Sequence, residues 1–288
     1  MEDPIVLGVI GGSGLYQFQG LEDIQTLDIE TPFGKPSSPI IVGRVAGRRV
    51  AFLTRHGIGH VIPPTEVNYR ANIFALKSIG VQRVISISAC GSLREDYAPG
   101  EIVIPDQLVD FTHNRPRSFF GSGMVVHVGT AEPYCAELSA QLYQAVINCE
   151  GVVHRGGALI TIEGPRFSTK AESHLYRNWG MSIIGMTACP EAFLAREAEM
   201  CYATMAHVTD YDVWHVSEAP VTVEMVVRTL HKNTELAQRA IRAMVEDLPD
   251  DTTCGCNSAL RYAFITNPAH FDPDERKKLD LLVKKYLA

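Results

Sequence analysis

The stretch MCYATMAHVTDYDVW, residues 200–214, decides the fold of this chain and carries its most informative chemistry. Residues 200–208 are almost all apolar or small, which predicts a buried strand. Asp210 and Asp212 follow directly, and a charge buried there needs a partner or a shifted pKa. Acids at the carboxyl end of a strand in an α/β sheet are candidates for ligand binding or proton transfer. A polar turn in which Asp210 caps a helix is the alternative explanation.

Similar apolar runs recur along the chain and alternate with helical patterns. They predict strands at residues 5–10, 40–45, 49–54, 81–88, 101–104, 158–162, 182–186 and 200–208. Apolar residues at three- and four-residue steps predict helices at residues 65–79, 133–149, 168–179, 190–199, 221–245 and 272–287. No repeat, low-complexity tract or linker interrupts this pattern. We therefore expect an α/β fold, a single domain over residues 1–288 with a central mixed β-sheet flanked by helices.

Composition narrows the class of protein. With 288 residues, of which 46% are hydrophobic and 20% charged, the chain is long enough to bury a large core. A formal net charge of −7 argues against nucleic acid or an anionic membrane as a partner. The acidic start does not match a signal peptide, and no run approaches the ~20 apolar residues of a membrane helix. We expect a cytoplasmic protein without a nucleic-acid or membrane partner.

The cysteines do not form a disulfide framework by count or spacing. There are seven, an odd number scattered over a long chain, and most are expected to be buried as small apolar residues. Cys254 and Cys256 are an exception, because they either bridge each other, meet Cys201 or Cys135 in the fold, or remain exposed free thiols. A zinc site is disfavoured because no second Cys or His pair lies at ligand spacing, so no metal is expected.

Three other predicted strand ends carry groups suited to an anion or a planar ligand. GGSG at residues 11–14 offers backbone N–H groups and the Ser13 hydroxyl, although a tight turn explains it equally well. RHG at residues 55–57 combines the planar fork of Arg55 with the ring of His56, and an exposed basic turn is the alternative. SISACGS at residues 86–92 ends in small residues that let a planar ligand approach the backbone. None of the three supplies a base for serine or cysteine catalysis.

Seven motifs stand in an order that is characteristic of one family. They are GGSGL at 11–15, TPFGKPS at 31–37, RHG at 55–57, NYRAN at 68–72, ACGSLR at 89–94, TIEGPRFS at 161–168 and DYD at 210–212. Over about residues 6–245 the chain resembles the purine nucleoside phosphorylases, in particular their methylthioadenosine branch, whereas the tail after about 246 matches weakly. The resemblance implies a single α/β domain with a mixed sheet, assembled as a homotrimer or a dimer of trimers.

The resemblance also implies a reaction. Inorganic phosphate attacks the anomeric carbon of S-methyl-5'-thioadenosine and releases adenine and 5-methylthioribose 1-phosphate, a pentosyl transfer of methionine and purine salvage. Phosphate is the co-substrate, and no cofactor is implied. By similarity, phosphate is bound by Ser13, Arg55, His56, Ser88, Ala89 through its backbone, and Thr187. The substrate is bound by Cys90, Gly91, His127, Phe167, Met186, Asp210 and Asp212, with Asp210 as the catalytic residue.

Residue identity at these positions bears on specificity. A carboxylate at position 210 accepts from the amino group of a 6-amino purine, whereas Asn suits a 6-oxo purine. If protonated, Asp210 also serves as general acid to the leaving base, and burial beside a second carboxylate would raise its pKa. Val223 and Val226 stand where relatives that bind a 5'-hydroxyl present His, so an apolar wall favours a methylthio group. Ser168 belongs to the same set of specificity residues.

Several roles and alternatives stay open at this level. Phe167 either stacks on the purine or fills core, Met186 lies against the ribose by similarity, and His127 either reaches a neighbouring subunit's site or belongs to a surface loop. His60 and His215 lie near the motifs without an assigned role. A 6-oxopurine nucleoside or methylthioinosine phosphorylase, a nucleoside hydrolase and a nucleoside-binding module are the competing functions.

Overall fold

The computed structural model describes residues 3–12, 18–121, 123–215 and 222–287. The strands in these ranges are β1 (Ile5–Gly11), β2 (Glu22–Leu27), β3 (Ile40–Val45), β4 (Arg48–Thr54), β5 (Arg83–Ser92), β6 (Ile102–Ile104), β7 (Gln107–Phe111), β8 (Val153–Arg155), β9 (Ala158–Ile162), β10 (Ile183–Gly185) and β11 (Cys201–Asp210). The α-helices are α1 (Tyr69–Ser78), α2 (Ala136–Asn148), α3 (Lys170–Asn178), α4 (Ala188–Glu197), α5 (Val223–Asp247), α6 (Pro273–Lys278) and α7 (Asp280–Val283).

One mixed sheet contains all of these strands. Its main path runs β2-β3-β4-β1-β5-β10-β9-β7, while β11 pairs with β5 and leads through β6 to β8. The strands β4, β1, β5 and β11 are parallel to one another, so their carboxyl ends meet at the same edge. In open parallel sheets a ligand crevice lies outside that edge. The topology therefore brings together the strand ends that the sequence singles out.

The two largest of the four hydrophobic clusters in the described residues lie on opposite faces of the sheet. Alternation along each strand directs Val84 and Tyr202 toward α1, α4 and the C-terminal helices. It directs Ile85 and Ala203 toward α2 and α5. Because successive strand residues point to opposite faces, a strand covered on both sides is mostly apolar. All ten residues of β11 are buried, and three of its polar members, His207, Thr209 and Asp210, lie toward its carboxyl end. The predicted α/β class with a helix-flanked mixed sheet is confirmed.

The longest helix, α5, packs by one side only. Ala237, Ala240, Ile241 and Met244 are buried at helical spacing, and they join the core shared with α2. At the start of the helix Val223, Val226 and Val227 line a cavity, and polar and charged residues occupy most of the remaining positions. Within the ranges that the structure describes, no helix has the length and apolar character that crossing a membrane would require.

The largest differences between the sequence predictions and the structure are three missed strands and a broken C-terminal helix. Strands β2, β7 and β8 were missed, since β2 is a polar, exposed edge strand and the other two are short and only partly buried. The tail predicted as one helix over 272–287 is broken into α6, α7 and a final 3-10 turn. The break falls at Leu279, which is fully buried, and it lets Leu282 and Val283 reach the same core.

The cysteines do not follow the expectation drawn from sequence spacing. Cys135 and Cys201 provide the second pair of thiols that the sequence appeared to lack, because the fold brings them beside Cys254 and Cys256. The alternative in which Cys254 and Cys256 meet Cys201 or Cys135 is therefore confirmed. All seven cysteines have free sulfurs. Spacing along the chain therefore does not decide whether a zinc site exists, because thiols distant in sequence are close in space, and the expected absence of a metal stays a prediction.

Candidate active site

A cavity of about 600 Å³ lies at the carboxyl ends of β1, β4, β5 and β11. The loop after β4, the loop before α3, the junction of β10 and α4, and one side of α5 from Val223 to Ala237 complete its wall. Fourteen of the residues predicted for the site line it: Arg55, His56, Ser88, Ala89, Cys90, Gly91, Phe167, Ser168, Met186, Thr187, Asp210, Asp212, Val223 and Val226. The sequence motifs thus converge on one cavity although they span most of the chain.

Two predicted residues are not part of this wall. Ser13 lies outside the described residues. His127 is exposed, and its backbone N–H donates to the carbonyl of Ala263 at 2.8 Å. His127 therefore does not line the cavity of its own chain. A single chain does not test whether His127 contributes to the site of a neighbouring subunit.

The Arg55 guanidinium is held from within the protein rather than presented as a free fork. It is 2% exposed, and its Nε and Nη2 donate to the two carboxylate oxygens of Glu191 at 2.8 and 2.9 Å. Nη2 also donates to Ser86 Oγ, and Nη1 donates to the carbonyl of Ile87. Burial lowers the pKa of Arg55, but the charge and hydrogen bonds of Glu191 outweigh it, so the pKa stays above its ordinary value. Among the described contacts, one Nη1 hydrogen is left for a ligand.

His56 is neutral and its tautomer is fixed. Its Nδ1 lies 2.9 Å from the carbonyl oxygen of Ile62, which only accepts, so Nδ1 carries the proton and Nε2 is the acceptor. Burial, together with the positive charge of Arg55, lowers the pKa of His56 to about 4. The ring stacks on that of His60 at 4.3 Å between centroids. His60 also lines the cavity, which gives it a place that the sequence did not assign.

Two hydroxyls complete this end of the cavity. Ser88 Oγ on β5 and Thr187 Oγ1 at the start of α4 lie 3.2 Å apart. Thr187 occupies the position before the first helical residue, yet its side chain makes no capping hydrogen bond. Its hydroxyl is therefore directed to Ser88 rather than to the helix, and the pair offers adjacent donors in the cavity wall.

A β-bulge aims the acidic motif into the cavity. Val208 pairs with Cys90 and Asp210 with Gly91, so Thr209 is an extra residue in β11. Regular alternation would place Thr209 and Asp210 on opposite faces, whereas both line the cavity here. The bulge is a long-range feature of strand pairing, and no local pattern in the sequence indicates it.

Asp210 is a buried carboxyl with partial hydrogen bonding. Thr209 Oγ1 donates to its Oδ2 at 2.7 Å, and the backbone N–H of Asp212 donates to its Oδ1 at 2.8 Å. Burial raises the pKa of Asp210 to about 6, the two hydrogen bonds oppose the shift, and the charge of Asp212 adds to it. The expected raised pKa is confirmed, but desolvation is its main cause and the second carboxylate contributes least. Such a group exchanges protons readily near neutral pH.

Asp212 retains an acceptor for a ligand. Within the described residues its Oδ2 and the hydroxyls of Ser168 and Ser173 have no hydrogen-bond partner of good geometry, although both hydroxyls lie close enough to Asp212 to oppose the effect of burial on its pKa. Burial raises the pKa of Asp212 as well. Asp212 and Ser168 both line the cavity. Buried polar atoms without a partner are costly, so these oxygens are suited to hydrogen-bonding a polar ligand edge.

Arg115 holds the region around Met186 in place, and sequence reasoning missed it. Its Nε and Nη2 donate to the side chain and carbonyl of Glu163 at 3.1 and 2.6 Å. Its Nη1 donates to the carbonyls of Met186 and Cys189 and to the hydroxyl of Tyr69. One buried cation therefore ties the end of β9 to the start of α4. Arg115 follows β7, a strand that was not predicted, so nothing in the sequence indicated its role.

The opposite wall is apolar and partly open. Phe167 is 38% exposed and Val223 is 68% exposed, so Phe167 is not core filling and both are accessible from the cavity mouth. Val226 lies beside them in the wall. Met186 is seated by Gly164, where a β-carbon would approach the Met186 sulfur to 2.6 Å. This wall suits an apolar ligand group.

Other functional neighbours also escaped the sequence analysis. Glu191 orients Arg55 from helix α4, where it resembles any helix-surface acid in the sequence. His207 on β11 lines the cavity, and neither ring nitrogen has a partner in the described part of the chain. His215 lies outside the cavity wall, where its ring stacks on Tyr211 at 4.6 Å between centroids. Its Nε2 is 3.4 Å from a carboxylate oxygen of Glu95.

Comparison with known proteins places this cavity in a family. The sequence profile of the Phosphorylase superfamily matches residues 6–246. The S-methyl-5'-thioadenosine phosphorylase of Geobacter sulfurreducens is 51% identical over 283 residues, covering 98% of this chain and 99% of its own. The enzyme of the same name from Koribacter versatilis is 51% identical over 280 residues, covering 97% and 96%.

Solved structures agree with these sequence relatives. A methylthioadenosine phosphorylase sourced from an Antarctic soil metagenomic library superposes with a TM-score of 0.91 at 44% identity, covering 98% of this chain and 99% of the other. A mutant adenosine/methylthioadenosine phosphorylase from Schistosoma mansoni, in complex with methylthioadenosine, superposes with a TM-score of 0.83 at 36% identity, covering 89% and 96%. The chain therefore belongs to the Phosphorylase superfamily and, within it, to the family of the S-methyl-5'-thioadenosine phosphorylases.

Proposed function

We propose that this chain catalyses the phosphorolysis of S-methyl-5'-thioadenosine to adenine and 5-methylthioribose 1-phosphate. One observation carries the proposal. A buried carboxyl with a pKa raised to about 6, Asp210, shares a cavity with the donors around Arg55 and with an apolar wall. These are the three elements that a leaving purine, an attacking phosphate and a methylthio group require. The relatives found by sequence and by structure are methylthioadenosine phosphorylases, which supports the same reaction.

The phosphate end binds through an arginine that Glu191 holds in place. Arg55 keeps one Nη1 hydrogen and its positive charge, while Ser88 and Thr187 present hydroxyls and Ala89 its backbone N–H. Neutral His56 accepts through Nε2 from the remaining O–H of a hydrogen phosphate ion. Ser13, by similarity, adds a hydroxyl. These contacts raise the local concentration of phosphate and orient one of its oxygens toward the anomeric carbon. Such positioning supplies much of the rate acceleration.

The reaction needs no protein nucleophile. A phosphate oxygen forms the new bond to the anomeric carbon as the bond to the purine nitrogen breaks, through a transition state with oxocarbenium character. The electron pair of the broken bond passes to the purine ring. Asp210, protonated at the start, donates its proton to the purine and neutralises that charge. A raised pKa keeps a useful fraction of Asp210 protonated near neutral pH, which is why its burial matters.

The base and the sugar are recognised at separate walls. Carboxyl oxygens of Asp210 and Asp212 accept from the 6-amino group of adenine, and Phe167 stacks on the ring. Cys90 and Gly91 leave room for the flat base, and Ser168 offers a hydroxyl. Met186 lies against the ribose. Val223 and Val226 face the methylthio group, since an apolar wall leaves a 5'-hydroxyl without a partner.

We further propose that activity requires a homo-oligomer, a trimer or a dimer of trimers. His127 is exposed and outside its own chain's cavity, as expected of a residue that reaches a neighbouring subunit's site. Phosphate is the nucleophile and Asp210 the acid, so the proposed step requires no cofactor. The cytoplasmic location and the extent of the domain over residues 1–288 stay predictions.

Adenine release from S-methyl-5'-thioadenosine, with and without inorganic phosphate, tests the proposal directly. We expect release only with phosphate, and much slower turnover of methylthioinosine measured in parallel. Equal or faster use of methylthioinosine would favour a 6-oxopurine phosphorylase and overturn the assignment of Asp210. Release without phosphate would indicate a hydrolase. Binding without turnover of either nucleoside would indicate a nucleoside-binding module.

A further inference from the structure

Four cysteine sulfurs meet at a point that the proposed reaction does not use. The Sγ atoms of Cys135, Cys201, Cys254 and Cys256 all lie within 4.8 Å of one another. Cys135 precedes α2, Cys201 opens β11, and the other two follow α5. Cys135, Cys201 and Cys256 are buried, and Cys254 is partly buried. From these contacts we propose that the four thiolates form a structural site for a single Zn²⁺ ion.

The spacing of the sulfurs fits one tetrahedral ion. With Zn–S bonds of about 2.3 Å, the edges of a tetrahedron of thiolates are roughly 3.8 Å long. Cys201 Sγ and Cys254 Sγ are 3.3 Å apart, and this separation and the outer limit of 4.8 Å bracket that length. Four soft thiolates around one point select zinc among the common divalent ions. Small shifts of side chains would bring all four to bonding distance.

The surroundings supply groups that stabilise bound thiolates. The backbone N–H of Leu138, in the first turn of α2, lies 3.5 Å from Cys135 Sγ. Nη1 of Arg196 lies 3.5 Å from Cys256 Sγ. Donors of this kind orient metal ligands and offset their negative charge. Two of the four sulfurs thus already have the outer contacts that a tetrathiolate site requires.

The loop that carries Cys254 is positioned independently of the sulfurs. Glu137 on α2 accepts from the backbone N–H and the hydroxyl of Thr253 at 3.2 and 2.8 Å. Thr253 comes directly before Cys254, so this contact fixes the approach of the loop to the N-terminus of α2. The short 3-10 helix Gly255–Ser258 then turns Cys256 inward. Cys254 and Cys256 therefore both reach the cluster, although the C-x-C spacing is shorter than the spacing usual for zinc ligands.

The site is structural rather than catalytic by its geometry. Four protein ligands leave no open position for water or substrate. Cys201 and Asp210 are at opposite ends of β11, which at about 3.3 Å per residue separates them by roughly 30 Å. The ion would fasten the segment after α5 to the start of β11 and to α2. That segment includes Leu279 and Val283, which complete one of the two largest clusters.

Metal content of the full chain tests the proposal. Protein purified without chelator should contain one zinc ion per chain, and Cys149→Ser should retain it because Cys149 is outside the cluster. The double variant Cys254→Ser with Cys256→Ser should lose it. Absence of zinc from the wild type, or its retention by the double variant, would overturn the proposal.

Two measurements on the wild type do not depend on folding of the variants. Reduced apoprotein titrated with Co²⁺ under anaerobic conditions should develop the intense visible absorption of tetrahedral cobalt thiolate, which one equivalent of Zn²⁺ then abolishes. Unfolded in chelator without reductant, the chain should show all seven thiols. A count of three would instead reveal two disulfides among the four cysteines and would refute the metal site, as would a cobalt spectrum without thiolate bands.

Discussion

Gly91 and Asp210 are paired across β5 and β11, and a β-carbon at Gly91 would lie 2.9 Å from Asp210 Oδ1. The carboxylate cannot simply turn away, because the backbone N–H of Asp212 holds that oxygen at 2.8 Å. The same β-carbon would approach Ile184 Cγ2 to 3.0 Å. The absence of a side chain at Gly91 is therefore a condition for the position of the proposed general acid.

We expect Gly91→Ala to displace Asp210 and to lower kcat/KM for S-methyl-5'-thioadenosine by about 100-fold, the order of effect of a 1 Å misplacement. Steady-state kinetics at saturating phosphate measures it. Gly129→Ala is the matched control, since a β-carbon there meets nothing within 4 Å. Equal activity of the two variants would show that the Gly91 contact does not position Asp210.

The buried pair Arg55–Glu191 predicts an unusual response to phosphate. Glu191→Gln leaves the Arg55 cation uncompensated in the core, so we expect a loss of about 3–5 kcal/mol in the free energy of unfolding. Phosphate should restore part of this loss, because the anion replaces the missing charge. Urea unfolding with and without phosphate measures both effects.

Asp96→Asn is the control for this pair. Asp96 also accepts from Nε and Nη2 of an arginine, Arg94, at 2.8 and 2.7 Å, but this pair is exposed. Its loss should change stability by less than about 1 kcal/mol, with no special response to phosphate. If phosphate stabilised Glu191→Gln no more than the wild type, the anion would not lie near Arg55.

The pKa of Asp210 couples stability to pH. Burial raises it from 3.8 to about 6, so the folded chain holds this proton more tightly than the unfolded chain. Proton binding by Asp210 therefore contributes to the free energy of unfolding. This contribution is fully present below pH 3.8 and is lost as the pH rises through about 6. Asp210→Asn removes the titration. Its stability relative to the wild type should therefore rise by roughly 3 kcal/mol between pH 3.5 and pH 8.

The same variant should lose activity, because an amide has no proton to give. A general acid contributes about 100- to 10,000-fold, and we expect a fall in kcat within that range. Urea unfolding across the pH series and kcat at pH 7 provide the two readouts. Parallel stability profiles for variant and wild type would show that Asp210 has an ordinary pKa.

His56 should report phosphate binding directly. Its pKa is lowered to about 4 in the free protein by burial and by Arg55, and a nearby anion favours the charged ring. We therefore expect phosphate to raise the pKa of His56, followed by NMR of the ring protons and assigned with His56→Gln. His174 is exposed and does not line the cavity, so its ring-proton signals should not move when phosphate is added, which makes it an internal reference. An unchanged His56 titration would place the anion elsewhere.

Local patterns in the sequence were sufficient for most of the architecture. The apolar run at 200–208 lies in β11, and the alternation of strands and helices gives the mixed sheet. The motif at Arg55 follows a strand end as expected, whereas the strand predicted to end at Ser88 continues to Ser92. Hydrophobic periodicity is a local signal, so it identifies buried strands and amphipathic helices. It fails for β2, whose polar residues make an exposed edge strand that no apolar run marks.

The sequence by itself determined the kind of fold, the residue types of the site and, through the order of the motifs, the family. Only the tertiary structure decided which groups act together. Glu191 lies 136 residues from Arg55, and Thr209 bulges from a pairing with β5. Cys135 and Cys201 meet Cys254 and Cys256 only in the folded chain, on the face of the sheet that α2 and α5 cover. Spacing along the chain does not encode such contacts, because they depend on how distant elements pack around one core.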